Sequence, residues 1–296
     1  MPVISLISNP ERPCLDRQGV EGLCGQWGGE SPTELATGIA WEFAVPGHPA
    51  GFDDQRKLLF ERGIDLNILA DGNRRKRFLS ADMDSTIIEQ ECLDEMAFEA
   101  GVGARVARIT SQAMNGEIDF AAALRERVSL FAGLPSGVID AVWTNRISFT
   151  PGASELVSTM RAGGAQAILI SGGFTDFTGR VAERLGFHRH YANGLVSEGG
   201  RLTGKVIEPP LGKSDKKRIL GQELQDADLP AREVLAVGDG SNDIDMLEMS
   251  GLGVAFRAKP AVNQAVAIQI RHGDLTGLLY LQGYCRSEFV SMVTAP

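Results

Sequence analysis

The stretch Phe78-Leu79-Ser80-Ala81-Asp82-Met83-Asp84-Ser85-Thr86 decides how the rest of this chain reads. A short, nearly continuous apolar run passes directly into an acidic turn. Such runs suit strands covered on both faces, as in a parallel sheet. Working outward from residues 78–83, similar runs recur at 165–170, 234–238, 253–256 and 267–270. Helical spacing separates them at 175–185, 214–224, 243–249 and 260–266. Strand alternating with helix predicts an α/β fold with a doubly wound, parallel-sheet (Rossmann-like) core. Residues 87–150 interrupt the alternation after the first strand. Their apolar residues fall at helical intervals (Phe120, Leu124, Val128, Phe131) and carry no strand signal. This predicts an inserted helical cap above the carboxyl edge of the sheet, where open α/β sheets bind ligands.

Upstream, residues 3–8, 38–45 and 65–70 read as strands and 52–62 as a helix, giving a small N-terminal α+β module over residues 1–75. The core is then expected over 76–296, with 71–77 as a polar linker. That linker holds Arg74-Arg75-Lys76-Arg77, the only basic cluster, which is expected to be solvated.

Composition narrows the function. The chain has 296 residues, 43% hydrophobic and 23% charged, which excludes a disordered chain and supports a sizeable core. Glycine is in surplus at 35 residues, which points to tight turns where bare backbone approaches a ligand. A net charge of −9 argues against nucleic acid as a partner. No run reaches ~18 apolar residues, so no membrane partner is expected. The N-terminus has neither the basic start nor the apolar stretch of a secretory leader. Four scattered cysteines (Cys14, Cys24, Cys92, Cys285) fit reduced thiols in a cytoplasmic protein. His188-x-His190 is read as exposed histidines, not as a zinc site. A homodimer is compatible with the sequence, which does not specify the oligomeric state.

Four stretches carry chemistry. Asp82 and Asp84 are two apart on an extended segment and so face one side. Two carboxylates so placed repel each other unless a hard cation such as Mg2+ joins them; the alternative is a solvated turn. Ile168-Leu169-Ile170-Ser171-Gly172-Gly173 runs a strand into a turn with a hydroxyl and bare amides, either an anion pocket or a simple βα turn. Lys213, in Leu211-Gly212-Lys213-Ser214-Asp215, stands at a helix start, where the dipole disfavours a cation unless an anion is near. Lys216 and Lys217 are its rivals on the same element. Val234-Leu235-Ala236-Val237-Gly238-Asp239-Gly240-Ser241-Asn242-Asp243 ends a strand in acids, and Asp239 can complete a metal site with Asp82 and Asp84. Asn242 and Asp243 fall on the first turn of the next helix.

The order Asp-x-Asp-x-Thr, Ser-Gly, Lys, Gly-Asp-Gly-x-Asn-Asp at successive strand ends resembles the haloacid dehalogenase superfamily, over residues 78–276. Within it, residues 82–97, 120–130 and 251–260 resemble the phosphoserine phosphatase family. Ser241 departs from that family's usual alanine, and residues 1–75 are similar only in placement to the regulatory ligand-binding modules some members carry. The resemblance implies Mg2+-dependent hydrolysis of O-phosphoserine to serine and phosphate through an aspartyl-phosphate, the last step of serine biosynthesis. It implies Asp82 as nucleophile and Asp84 as general acid and base. It implies Mg2+ held by an Asp82 oxygen, the Asp84 carbonyl and Asp239, and phosphoryl oxygens met by Ser171, the Gly172 amide and Lys213. Asn242 is expected near the phosphate or its metal, with Asp243 and Thr86 behind the metal ligands. In the cap, Glu91 is expected to take the substrate ammonium and Arg127 its carboxylate.

Rival readings are a relative that moves the phosphoryl group to another alcohol such as homoserine, a receiver-like phosphoaccepting signalling module, and a sensor carrying a degenerate phosphatase. The inserted cap speaks against the second, and the intact acids against the third.

Overall fold

Residues 1–70, 72–114 and 117–291 are described by the structure, a computed structural model. Period-two alternation organises its first sheet. In β1 (Val3–Ser8), Ile4 and Leu6 pack in one apolar cluster while Ile7 faces the opposite way, into the core shared with the second sheet. Around β1 lie α1 (Arg17–Gln26), β2 (Thr33–Ala36), β3 (Ala40–Ala44), α2 (Phe52–Glu61) and β4 (Ile64–Leu69). The strands pair antiparallel in the order β2-β3-β1-β4. Two of these elements go beyond the sequence expectation. α1 contains Gly19, Gly22 and Gly25, a poor helical composition. It is started by Asp16, whose side chain accepts a hydrogen bond from the Gly19 amide at 2.8 Å. β2 is only four residues long and pairs irregularly with β3.

The second sheet begins at β5 (Phe78–Ala81), every residue of which is buried. The chain then leaves the sheet for α3 (Cys92–Glu99), α4 (Gly103–Met114), α5 (Phe120–Ser129) and α6 (Val138–Arg146). The two necks of this insert run side by side. The Glu89 amide donates to the Ser148 carbonyl and the Thr150 amide to the Ile87 carbonyl, each at 3.0 Å. After α7 (Ala153–Ala162) the alternation resumes with β6 (Gln166–Phe174), α8 (Thr175–Leu185), β7 (Arg189–Asn193), a hairpin of β8 (Leu195–Glu198) and β9 (Arg201–Val206), and α9 (Lys213–Asp226). It closes with β10 (Val234–Gly238), α10 (Ile244–Met249), β11 (Leu252–Phe256), α11 (Pro260–Ala265), β12 (Ile268–Ile270) and α12 (Gly277–Leu281).

Six strands form this parallel sheet in the order β12-β11-β10-β5-β6-β7. The fold is thus the α/β, doubly wound arrangement expected. β5 lies between β10 and β6, so successive connections leave it on both sides. That reversal opens a crevice at the carboxyl ends of the three strands.

The structure differs from the sequence reading in three places. β7 is a polar edge strand with no apolar run to announce it. Its neighbourhood employs both histidines: His188 Nδ1 accepts from the Ala167 amide at 3.0 Å, and His190 Nδ1 pairs with Thr178 Oγ1 at 2.9 Å. The insert is helical as expected, but a β8–β9 hairpin from later in the chain, not anticipated in the sequence reading, leans on it; the Gly133 amide donates to the Leu202 carbonyl at 2.8 Å. The basic linker is not solvated throughout. Arg74 makes a bidentate pair with Glu42 at 2.7 and 2.8 Å, and the two side chains are only 20% and 17% exposed. Arg75 pairs with Glu288 at 2.8 Å and lies 4.0 Å from the Tyr284 ring centroid. Arg74 also donates to the Leu281 carbonyl, so it ties β3 to the end of α12.

Arg74→Met should therefore cost about 1.5–3 kcal/mol, since a part-buried carboxylate loses a charge-assisted partner. Arg218→Met breaks an exposed pair with Asp215 and should cost less than about 1 kcal/mol. Urea unfolding of both variants checks the difference; equal losses would contradict a clasp at Arg74.

Candidate active site

Asp82 leaves β5 with extended backbone, and its Oδ1 accepts from the Met83 amide at 2.8 Å. An irregular turn over Met83–Ile87 follows, in which Ser85 has φ +54°. That left-handed conformation is uncommon for a residue with a side chain. Ser85 uses it to donate its hydroxyl to Glu91 Oε1 at 2.9 Å. The turn also breaks the period-two register between the two aspartates. The Asp84 carboxylate accepts from Ser171 Oγ at 3.2 Å and from the Cys92 amide at 3.1 Å.

β10 delivers the other acids. A Cβ at Gly238 would collide with the Asp243 carboxylate, so the bare backbone lets Asp243 fold back over the strand end. Its Oδ2 accepts from the Gly240 amide at 3.0 Å. Buried carboxylates of Asp82, Asp239 and Asp243 then lie within 4.8 Å of one another. Asp243, expected behind the metal ligands, stands among them, which is a correction; Asp84 is expected there through its main-chain carbonyl, not its side chain. The Asp84 side chain faces Ser171 and Cys92, and Asp243 completes the trio.

The lysine is likewise a correction. Lys213 is half exposed and lies 3.7 Å from Asp245. One helical turn later, Lys216 is buried, with Nζ 2.7 Å from Asp82 Oδ1 and 2.6 Å from Asp243 Oδ1. Of the three lysines in the first turns of α9, only Lys216 is on its buried face and reaches the acids. Burial disfavours this ammonium, but Asp243 and Asp82 outweigh that and hold its pKa above the ordinary lysine value. Burial and Asp243 push the Asp82 pKa up, against the pull of Lys216. Three clustered carboxylates carry more negative charge than one ammonium balances. The donor set is entirely anionic oxygen, which fits a hard divalent cation. Asp239 is pushed up to about 6, first by burial, with Lys259 pulling the other way.

On β6, Ser171 is fully buried and its Oγ accepts from the Gly173 amide at 2.9 Å. A Cβ at Gly173 would fall 2.5 Å from Asp84 Oδ2, so only glycine fits there. Asn193, at the end of β7, donates to the Gly172 carbonyl at 2.8 Å and accepts from the Leu211 amide at 2.6 Å. It fastens this loop to the segment leading into α9. Nothing in the sequence reading singles it out. Asp84, desolvated here and facing Glu91, is pushed up to about 6.

From the cap, Glu91 opens α3 and Arg127 lies on α5. Arg127 donates to the Ala123 carbonyl at 3.3 Å and to Thr110 Oγ1 at 3.4 Å, and among the described residues no carboxylate lies within 4.0 Å of it. Lys259, after β11, places Nζ 3.3 Å from Asp239 Oδ2 and 3.7 Å from Glu91 Oε1. It joins core to cap; the sequence reading includes it in the matching stretch 251–260 but assigns it no role. Asn242 sits beside Gly240 in the β10 loop, part-buried. Thr86 is fully buried, its hydroxyl without a protein partner.

The family of haloacid dehalogenase-like hydrolases matches residues 80–248. The phosphoserine phosphatase of Archaeoglobus fulgidus is 43% identical over 206 residues, 70% of this chain. The chain spans 60% of that relative's length. Among solved structures, a HAD family hydrolase from Salmonella enterica serovar Typhi superposes with a TM-score of 0.84 at 28% identity, covering 95% of this chain and 98% of that one. A phospho-aspartyl intermediate analogue of phosphoserine phosphatase superposes with a TM-score of 0.65 at 36% identity, covering 70% of this chain and 98% of that one.

Removing the buried ammonium should be costly. Lys216→Met leaves two buried carboxylates unpaired and should lose about 3–5 kcal/mol of stability, part of it recovered when a divalent cation is added. Lys213→Met should lose less than about 1 kcal/mol. Denaturant midpoints with and without Mg2+ check this; similar losses in the two variants would contradict the placement of Lys216.

Proposed function

We propose that this chain, which belongs to the haloacid dehalogenase-like hydrolases, hydrolyses O-phosphoserine to serine and inorganic phosphate with Mg2+ bound. The observation that carries this reading is the convergence of Asp82, Asp239 and Asp243 around buried Lys216 at the switch point of the sheet. Asp82, Asp239 and Asp243 are the side chains that would hold the ion, with the Asp84 carbonyl as a main-chain ligand. When bound, Mg2+ offsets the negative charge that builds up between the phosphoryl oxygens and the carboxylates.

Phosphate monoesters are among the slowest substrates to react unaided, and a single general base supplies only about 10²–10⁴. Covalent catalysis divides the task. An Asp82 oxygen bonds to phosphorus as the bond to the serine oxygen breaks. The departing alkoxide takes a proton from Asp84, which stands on the Ser171 side of the loop. Water then attacks the aspartyl-phosphate, passing a proton to Asp84; the bond to Asp82 breaks, phosphate leaves, and both acids are restored. Ser171, the Gly172 amide and Lys216 hold the phosphoryl oxygens, and Lys216 takes the role expected of Lys213. Asn242 stands beside them, and Thr86 supports the turn that carries both acids.

Selectivity comes from the cap. Glu91 already faces one ammonium, that of Lys259 at 3.7 Å, so its position suits a substrate amine. Arg127 has no carboxylate partner among the described residues and is available for the substrate's own. The four cysteines are unpaired, in keeping with a cytoplasmic setting.

Phosphate release from O-phosphoserine, O-phosphothreonine and simple phosphosugars, with and without Mg2+, tests the reading; it predicts Mg2+-dependent release fastest from phosphoserine. Arg127→Ala should raise KM for phosphoserine about 10–150-fold, the worth of one charge-assisted pair. O-phosphoethanolamine, which has no carboxylate, should be nearly unaffected. Equal losses on both esters would take Arg127 out of carboxylate binding.

A further inference from the structure

One sizeable cavity lies away from the carboxylate cluster. It is a cleft of about 610 Å³ between α2, β4 and the end of β12, where the N-terminal sheet meets the parallel sheet. Its size falls within the usual range of small-molecule sites, ~300–1,000 Å³.

Two arginines reach into this cleft from opposite sides. Arg56, on α2, donates to the Ala267 carbonyl at 2.9 Å, just before β12. Arg271, just after β12, lays its guanidinium 4.9 Å from the ring centroid of Phe60 on α2. Among the described residues no carboxylate lies within 4.0 Å of either guanidinium. The Nε of Arg271 is buried and has no hydrogen-bond partner. Asp65 lines the same cleft but does not supply the missing partner. Its Oδ1 accepts from the Arg271 and His272 amides at 3.0 and 3.3 Å, and its Oδ2 from the His272 and Gly273 amides at 3.0 and 2.9 Å. Burial and the charge of Arg271 both hold the Arg56 pKa below its ordinary value, which Asp53 and Asp65 offset only in part.

Two close guanidiniums with an orphaned donor are a receptor for anionic oxygen. Each offers a planar fork matched to a carboxylate. The Phe60 ring is engaged by Arg271 and His272, so no free aromatic face remains for a nucleobase. Asp53 and Glu61 also line the cleft, with Lys57 beside them, so its positive charge is local to the two arginines and suits a small anion, not an extended polyanion. We propose that this cleft binds a small dicarboxylate, held by Arg56 from the N-terminal module and Arg271 from the core. A ligand so held touches both units and stabilises their docking by mass action. This site is separate from the phosphoryl chemistry and does not depend on it.

Malonate is the probe. Calorimetric titration of the full chain, with Mg2+ and saturating inorganic phosphate present to occupy the carboxylate cluster, should give saturable binding. Arg56→Met and Arg271→Met should each weaken it at least about tenfold, the worth of a charge-assisted pair, while phosphatase turnover stays unchanged. If Arg56→Met fails to fold, Arg56→Lys, which keeps the charge and loses the fork, should show the weakening instead. No saturable binding to the unaltered chain, loss of binding on adding phosphate, or undiminished affinity in the variants that fold would overturn the proposal.

Discussion

The rest of the structure depends on one electrostatic constraint: three buried carboxylates, Asp82, Asp239 and Asp243, share a space in which a single ammonium, Lys216, is their buried partner. Desolvating charge is costly, and attraction repays it only when geometry is close. Here the distances of 2.6 and 2.7 Å meet that condition for Lys216, and surplus negative charge remains for a divalent cation to share. No local segment could assemble this group. It requires β5 and β10 to be neighbours and α9 to begin beside them, which the parallel sheet with its reversal at β5 provides.

The neighbouring features serve to hold that arrangement and to limit access to it. Gly173 and Gly238 allow close approach that a side chain would block. Asn193 ties the Ser171 loop to the segment before α9, so two walls of the site are fastened together. The paired necks at Ile87 and Thr150 carry the cap, and Lys259 bridges Asp239 of the core to Glu91 of the cap. An incoming ammonium would compete with Lys259 for Glu91, so cap and core are linked through charge as well as through the chain.

Much of this could be read from the residues. Strands buried on both faces announce themselves as continuous apolar runs, and acids placed directly after two of them mark the edge where chemistry gathers. What escaped was set by geometry that sequence spacing does not encode. Lys213, Lys216 and Lys217 share one helix start, and only the packing of α9, which buries Lys216, selects among them. Asp82 and Asp84 look equivalent on an extended segment, but the chain turns at Met83 between them and separates their tasks. β7 is polar because it lies at a sheet edge. The β8–β9 hairpin did carry a signal, the Gly199-Gly200 pair between two short runs containing apolar residues. The basic linker looked solvated because its partners, Glu42 and Glu288, are far away in sequence.

The account's central claim is that Asp82 itself accepts the phosphoryl group. Borohydride added during steady-state turnover of O-phosphoserine reduces an acyl phosphate to an alcohol, and peptide mass mapping then locates it. The account predicts Mg2+-dependent conversion of Asp82, and of no other aspartate, to homoserine. Full turnover with Asp82 unmodified, and the reduced residue found at Asp84 or Asp239 instead, would contradict it.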